Sequence, residues 1–450
     1  MVTAPFPALG RGARARRAQV LCLVLAMVLA ACAGQDPILP GQRIPIRADV
    51  SPEAGPAGAR PVAIPGAQAN ADWPQRNGAV PGRVVNAGLR PVPQLVWSTE
   101  LGLGDTKRRR LLTAPVVAGG LVFAMDAGGQ LSAVTRSGQV AWTRSLVPAG
   151  QIPDAGPGGG MAAAGGALYV TTGFGEAFAL DPRTGGTIWQ RTLEAPVRNA
   201  PTVLGGQVLL VLRDDTSYGL DAQTGATRWR VQGAGGAGLL GGASPATDGQ
   251  LAVLPFASGE VLGVLARNGM TVWGTAVTGG RRAFARNRIN DISGAPVLDG
   301  GSVYASNQSG RTVKLDVRTG ERAWTVPEGS YGPAWPVGGA VYLMSDLGSL
   351  VRVDATSGEI VWSVALPEYF PNPGFFGRSK PFRAVAYYGP MLAGGRLWVA
   401  GADGALRAFS PADGRLLAEV ALPGGAAAAP AIAGGMLYVP TQDGRLLAFQ

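Results

Sequence analysis

The stretch that decides the fold runs Ala295-Pro296-Val297, Gly300-Gly301, Val303-Tyr304-Ala305, Ser309-Gly310, Val313-Lys314-Leu315-Asp316, Thr319-Gly320 and Trp324. Short alternating runs separated by Gly-containing turns read as strands of a meander. One such unit gives four strands, A to D from the inside outward. Its A–B turn recurs eight times, as Gly119-Gly120, Gly165-Gly166, Gly205-Gly206, Asp248-Gly249, Gly300-Gly301, Gly338-Gly339, Gly394-Gly395 and Gly434-Gly435. The strand D tryptophan recurs as Trp97, Trp142, Trp189, Trp229, Trp273, Trp324 and Trp362, with Leu417 expected in its place in the seventh copy. The spacing runs from 38 residues (Trp324 to Trp362) to 51 (Trp273 to Trp324), the size of a propeller blade.

The ends fix the count. The last copy stops at Gln450 after its third strand, and Leu95–Leu101 is a fourth strand with no A, B or C before it. Together they complete one blade. The expected fold class is therefore all-β: an eight-bladed β-propeller over 94–450, closed by pairing of N- and C-terminal strands, which removes open sheet edges.

Before the propeller lies an address. Arg11, Arg14, Arg16 and Arg17 precede the apolar run Val20–Ala31. At twelve residues it is too short to span a bilayer and fits the core of a signal peptide, residues 1–31. Leu29-Ala30-Ala31-Cys32 resembles the lipobox of bacterial lipoproteins. That resemblance implies cleavage before Cys32, lipidation of Cys32 and a lipid anchor in the membrane. The other reading is an ordinary signal peptide with an incidental Cys. Ala33 in place of Asp suggests the outer membrane, periplasmic face. Residues 32–93 then carry the lipidated Cys and a Pro/Ala/Gly-rich tether, expected to be mostly disordered. Within it Gly41–Ile46 and Asp72-Trp73-Pro74-Gln75 stand out as segments that could pack on the propeller rim.

Chemistry-bearing residues are sparse. There is no His, and the two Cys, Cys22 and Cys32, both precede the propeller. The commonest general base and the usual zinc ligands are missing, and no cofactor or metal site is expected. Net charge is +10; without the four leader arginines it is 10 − 4 = +6. No basic stretch is interleaved with aromatics, so nucleic acid is not an expected partner. Asp181, Asp221, Asp316 and Asp354 recur before a turn ending in Gly, and Thr135, Ala266 and Ser410 are expected at the matching positions. A position that tolerates Ala reads as a turn cap rather than a catalytic carboxylate.

The repeat Ala-x-Asp-x-x-Thr-Gly-x-x-x-Trp, carried by Ala179, Asp181, Thr184, Gly185 and Trp189, resembles that of PQQ-type quinoprotein propellers. Two families share it. Quinoprotein dehydrogenases hold PQQ over adjacent Cys with calcium and an Asp base. The Cys-free propeller departs from them, and that alternative rests on repeat type alone. BamB-like lipoproteins of outer-membrane protein assembly match in lipobox, tether, blade count and closing blade. A more specific likeness precedes blade 5: Arg288-Ile289-Asn290-Asp291-Ile292-Ser293, then Gly294-Ala295-Pro296-Val297. Arg288 and Asp291 keep the family pattern, and Ser293 replaces its second Asp. Before blade 4, Leu239 keeps the Leu of a Leu-Arg pair, and Leu240 replaces the Arg.

The resemblance implies a non-catalytic scaffold. It would bind a BamA-like barrel protein and other assembly subunits, with unfolded barrel precursors as further possible partners. Leu239, Leu240, Arg288, Ile289, Asp291 and Ser293 are the implied contact residues, on loops that run from strand D to the next strand A and share one face. Asp291 could instead cap its own loop. On the same face Lys107–Arg110 reads as a solvated turn or a site for an acidic partner or anionic lipid. The aromatic loop 367–390 reads as a functional loop or a cover over the central opening. A scaffold role in some other envelope complex would fit the same fold.

Overall fold

A computed structural model of the chain describes residues 60–76, 83–106, 109–236, 238, 241–279, 289–370 and 384–450. Cys32, Leu239, Leu240, Arg288, Lys107, Arg108, Gly41–Ile46 and the aromatic residues Phe375, Phe376 and Phe382 lie outside that set. The described residues form eight four-stranded antiparallel sheets, each in sequence order except the last. In that closing blade the strand Leu95–Glu100 pairs with Arg445–Phe449, from Leu95↔Phe449 to Glu100↔Arg445. Gln94 and Gln450 add a reciprocal pair of backbone hydrogen bonds at 2.8 and 2.9 Å. The expected ring closure is present.

Local chemistry explains each blade. In the seven Gly-Gly A–B turns both glycines take positive φ, as at Gly300 (54°) and Gly301 (80°), the geometry of a two-residue hairpin that L side chains resist; in the Asp248-Gly249 turn only Gly249 does. The C–D turns are capped by the recurrent aspartates. Asp181 Oδ1 accepts the Arg183 and Thr184 N–H groups at 2.8 and 2.9 Å, and Asp221, Asp316 and Asp354 repeat the pattern. In blade 4 the matching residue is Leu265 and not Ala266: the Gly269 N–H returns to the Leu265 carbonyl, as Gly185 does to Asp181. A position that accepts Leu is a turn position.

A bulge in the C–D pairing recurs next to each tryptophan, as between Ala179 and Leu180 opposite Trp189, and turns the indole toward the neighbouring blade. Trp189 Nε1 donates to the Ala222 carbonyl of blade 3 at 2.9 Å, and Trp142, Trp229, Trp273 and Trp324 do the same one blade on. The ring also covers the turn glycine of that blade. A Cβ on Gly225 would stand 2.8 Å from Trp189, and one on Gly185 2.9 Å from Trp142.

Two departures occur in blades 6 and 7. The Trp362 indole N–H has no partner, because Tyr342 and Arg352 already occupy the Pro411 carbonyl. In blade 7 the residue opposite Ala408 is Ala418, so Ala418, not Leu417, stands in the Trp position. Blade 8 takes its strands C and D from opposite ends of the chain. It therefore has no C–D turn to offer a glycine or a carbonyl to an indole.

Residues 60–76 and 83–93, within the expected tether, are packed onto the propeller. The inner strands present unpaired backbone groups to the central channel, and buried backbone groups need partners. Asn70, Trp73–Gln75 and Ala87 supply them. Trp73 exchanges two hydrogen bonds with Val117 (2.8 and 2.9 Å), the Pro74 carbonyl accepts Ala163 N–H, and the Gln75 amide exchanges two with Val203. Ala87 binds Leu392 and Gly394, and Asn70 binds Ile432 and Gly434. Trp73 is 5% exposed and stacks on Trp335 at 6.5 Å. These contacts lie beside the A–B turns, so the segment closes the channel at that end. The opposite end, where D–A loops and B–C turns meet, is left to the site.

Candidate functional site

Three D–A loops, at 193–201, 233–245 and 277–291, open blades 3, 4 and 5. Their described parts are tied together by one buried cation. Arg198, 1% exposed, ion-pairs with Asp291 of the third loop and lies 3.5 Å from Asp215, in the B–C turn of blade 3. Asp215 in turn accepts the Ala257 and Ser258 N–H groups of blade 4 at 2.9 and 3.3 Å. Asn199 donates to the Gly242 carbonyl of the second loop. Glycine is needed at 242, since a Cβ there would run into the Arg198 guanidinium.

The electrostatics are those of a closed cluster. Burial pushes the Asp215 carboxyl above its ordinary value, against the opposing pull of the Ala257 N–H and Arg198. Arg213, bonded to the Pro157 carbonyl, has its pKa lowered by burial and by the charge of Arg198. Two cations and two carboxylates balance. Asp215 sits at φ 61°, the only positive φ of a non-glycine among the described residues. The backbone is thus strained at the turn that holds the cation.

The implied contact residues divide. Asp291 is fully buried and turned toward Arg198, so its carboxylate organises the loops from within instead of facing outward. That corrects both expectations for it: it neither presents itself at the surface nor merely caps its own loop. Ser293 is buried too and donates to the Ser330 carbonyl at 2.6 Å, joining blade 5 to the loop of blade 6. Ile289 is half-buried, its carbonyl held by Ser309 at 3.0 Å, which leaves part of its side chain at the surface. Arg198 and Asp215 were not singled out from sequence. The one available signal was a lone Arg in the uncharged run Ala195–Pro201.

Elsewhere on this face, Arg110 pairs with Asp105 at 3.3 Å, the Thr106 N–H donates to the Arg109 carbonyl at 2.8 Å, and the Arg109 N–H donates to the Thr106 hydroxyl at 3.0 Å. The described part of the basic loop is therefore a self-bonded turn. Tyr387 and Tyr388 begin the inner strand Tyr387–Ala393 of blade 7, and both line a central cavity of about 440 Å³. Its described lining does not match a calcium-bound tricarboxylate such as PQQ. Among the described residues no three His, Cys, Asp or Glu side chains cluster, and the lining groups include one cation, Arg76, and one carboxylate, Asp346.

A family model described as Outer membrane protein assembly factor BamB matches residues 132–364 and 377–450. BamB of Moranella endobia (strain PCIT) is 28% identical over 251 residues, covering 53% of this chain and 63% of the relative. BamB of Yersinia pestis is 28% identical over 244 residues, covering 53% and 62%. The chain thus spans less than two thirds of the length of these curated relatives. Among solved structures, BamB from Moraxella catarrhalis superposes with a TM-score of 0.66 at 21% identity, over 80% of this chain and 100% of that one. Quinohemoprotein alcohol dehydrogenase from Comamonas testosteroni gives 0.61 at 16% identity, over 84% and 80%. At such identities the structural likenesses speak for the propeller alone, and the dehydrogenase adds no function to it. The family model, matched over most of the eight blades, is the discriminating finding, and by it the chain belongs to the family of the outer membrane protein assembly factor BamB.

Proposed function

We propose that this protein is a non-catalytic scaffold of outer-membrane β-barrel assembly. In this reading it is anchored through lipidated Cys32 on the periplasmic face and docks a BamA-like barrel protein with the D–A loops of blades 3 to 5. Family membership supports the assembly role. The observation that carries the choice of surface is the Arg198–Asp291–Asp215 cluster. With Asn199 it ties the described parts of these loops to one another, which lowers the ordering entropy of docking on them. Leu239, Leu240, Arg288 and Ile289 are the proposed contacts, an apolar group with a polar surround. Asp291 and Ser293 act by holding that surface in place.

The test is co-purification of the acylated protein from gently solubilised envelopes. Recovery of a BamA-like barrel protein, lost on Leu239→Glu with Ile289→Asp in a folded propeller, supports the reading. Recovery unchanged by those substitutions moves the contact to another surface. A different envelope protein in its place moves the role to another complex.

A further inference from the structure

Arg76 carries a charge that nothing described answers. It lines the central cavity of about 440 Å³, together with Leu112, Tyr331, Pro333, Met344 and Tyr388. Its Nε is enclosed and bonds no other group. Burial is the main cause that lowers its pKa. Asp346 lines the same cavity but accepts the Gly329 N–H at 2.9 Å. Arg76 is half-buried, and a guanidinium that faces an apolar-lined cavity with its Nε enclosed and unbonded is suited to an anion entering that cavity.

The side chain is also held in place. Trp73, Pro74 and Gln75, immediately before it, are fixed to blades 1, 2 and 3 by five hydrogen bonds. A second cavity of about 520 Å³ shares Leu112, Tyr331 and Tyr388 with the first and extends it toward Asp105 and Arg110 of the D–A face. Entry is therefore from the side opposite the closing segment.

We infer that the central cavity is a binding site for a carboxylate carried on a small apolar body, with Arg76 as its anion receptor. One guanidinium matches one carboxylate in a two-pronged hydrogen bond. A doubly charged phosphate would bring excess charge among Leu112, Met344, Pro333 and three tyrosines. The volume lies in the range of small-molecule sites. The carboxylate has two sources, a free apolar acid or the end of a polypeptide chain.

The test is calorimetric titration of the full-length protein in detergent with phenylacetate, N-acetyl-L-phenylalanine and N-acetyl-L-phenylalaninamide. Binding of either acid, at least tenfold tighter than the amide, is expected. Phenylacetate alone identifies a free acid, and N-acetyl-L-phenylalanine alone identifies a chain end. Arg76→Gln abolishes the preference, and Arg76→Lys keeps part of it. Equal binding of acid and amide, no binding at millimolar concentration, or an unchanged preference in Arg76→Gln overturns the site. The melting temperature of ligand-free Arg76→Met gives an independent reading. It is expected to equal or exceed that of the parent, and a fall of several degrees would make Arg76 a structural cation instead. None of these outcomes bears on the assembly role.

Discussion

Arg198 and Asp291, contributed by the loops that open blades 3 and 5, meet as an ion pair at 1% and 0% exposure. Each is costly to bury alone, and removal of one leaves the other uncompensated. Asp291→Ala is expected to lower stability by about 3–5 kcal/mol, and Arg198→Ala by a similar or larger amount because two carboxylates lose their cation. Denaturant unfolding of each variant checks this. Losses below about 1 kcal/mol would mean that water reaches the cluster.

The turn glycines separate backbone strain from crowding. Gly225 and Gly395 have nearly the same φ, 72° and 71°, but a Cβ at 225 stands 2.8 Å from Trp189 while none meets anything within 4 Å at 395. Gly395→Ala is expected to cost about 1–2 kcal/mol from the left-handed backbone alone. Gly225→Ala adds about 1–3 kcal/mol of overpacking. Equal losses in thermal unfolding would show that Trp189 moves aside freely.

Those turns and indoles are why the blades could be read from the sequence: each is set by residues a few positions apart. Even there the expectation is one residue off at two places: Asp181, Asp221, Asp316 and Asp354 stand eight residues before their tryptophans, and the same count gives Leu265 and Ala418 where Ala266 and Leu417 are expected. Long-range pairing left no such mark. Arg198 and Asp291 are 93 residues apart, and nothing local in either loop announces the other. Trp73–Gln75 takes its conformation from the edges of three inner strands and not from any alternation of its own, so its span reads as linker.

Acid should loosen the C–D turns. Arg228, and then the Thr224 N–H, hold the Asp221 carboxyl to about 2. Backbone N–H groups of Thr184, Thr319 and Ser357 lower those of Asp181, Asp316 and Asp354. An unfolded Asp titrates near roughly 3.9. A folded value below the unfolded one means stability present in full above about pH 4–5 and lost as pH falls toward about 2. The melting temperature should drop over that window, and Asp221→Asn should flatten the drop. An identical pH profile in the variant would assign acid sensitivity to other groups.

Trp73 gives the sharpest separation of a linker from a structural plug. A linker residue can be truncated at no cost, whereas Trp73 is 5% exposed, stacked on Trp335 and paired through its backbone with Val117. Trp73→Ala is expected to cost about 3–5 kcal/mol, with Trp73→Phe recovering much of it. Gln75→Ala, which removes the amide from both the N–H and the carbonyl of Val203, is expected to cost about 1–3 kcal/mol. Both losses should appear in the single unfolding transition of the propeller, because the inner strands of blades 1 and 3 lose their partners together with the plug. A separate early transition, with the main one unmoved, would show that residues 60–93 lie on the propeller without supporting it.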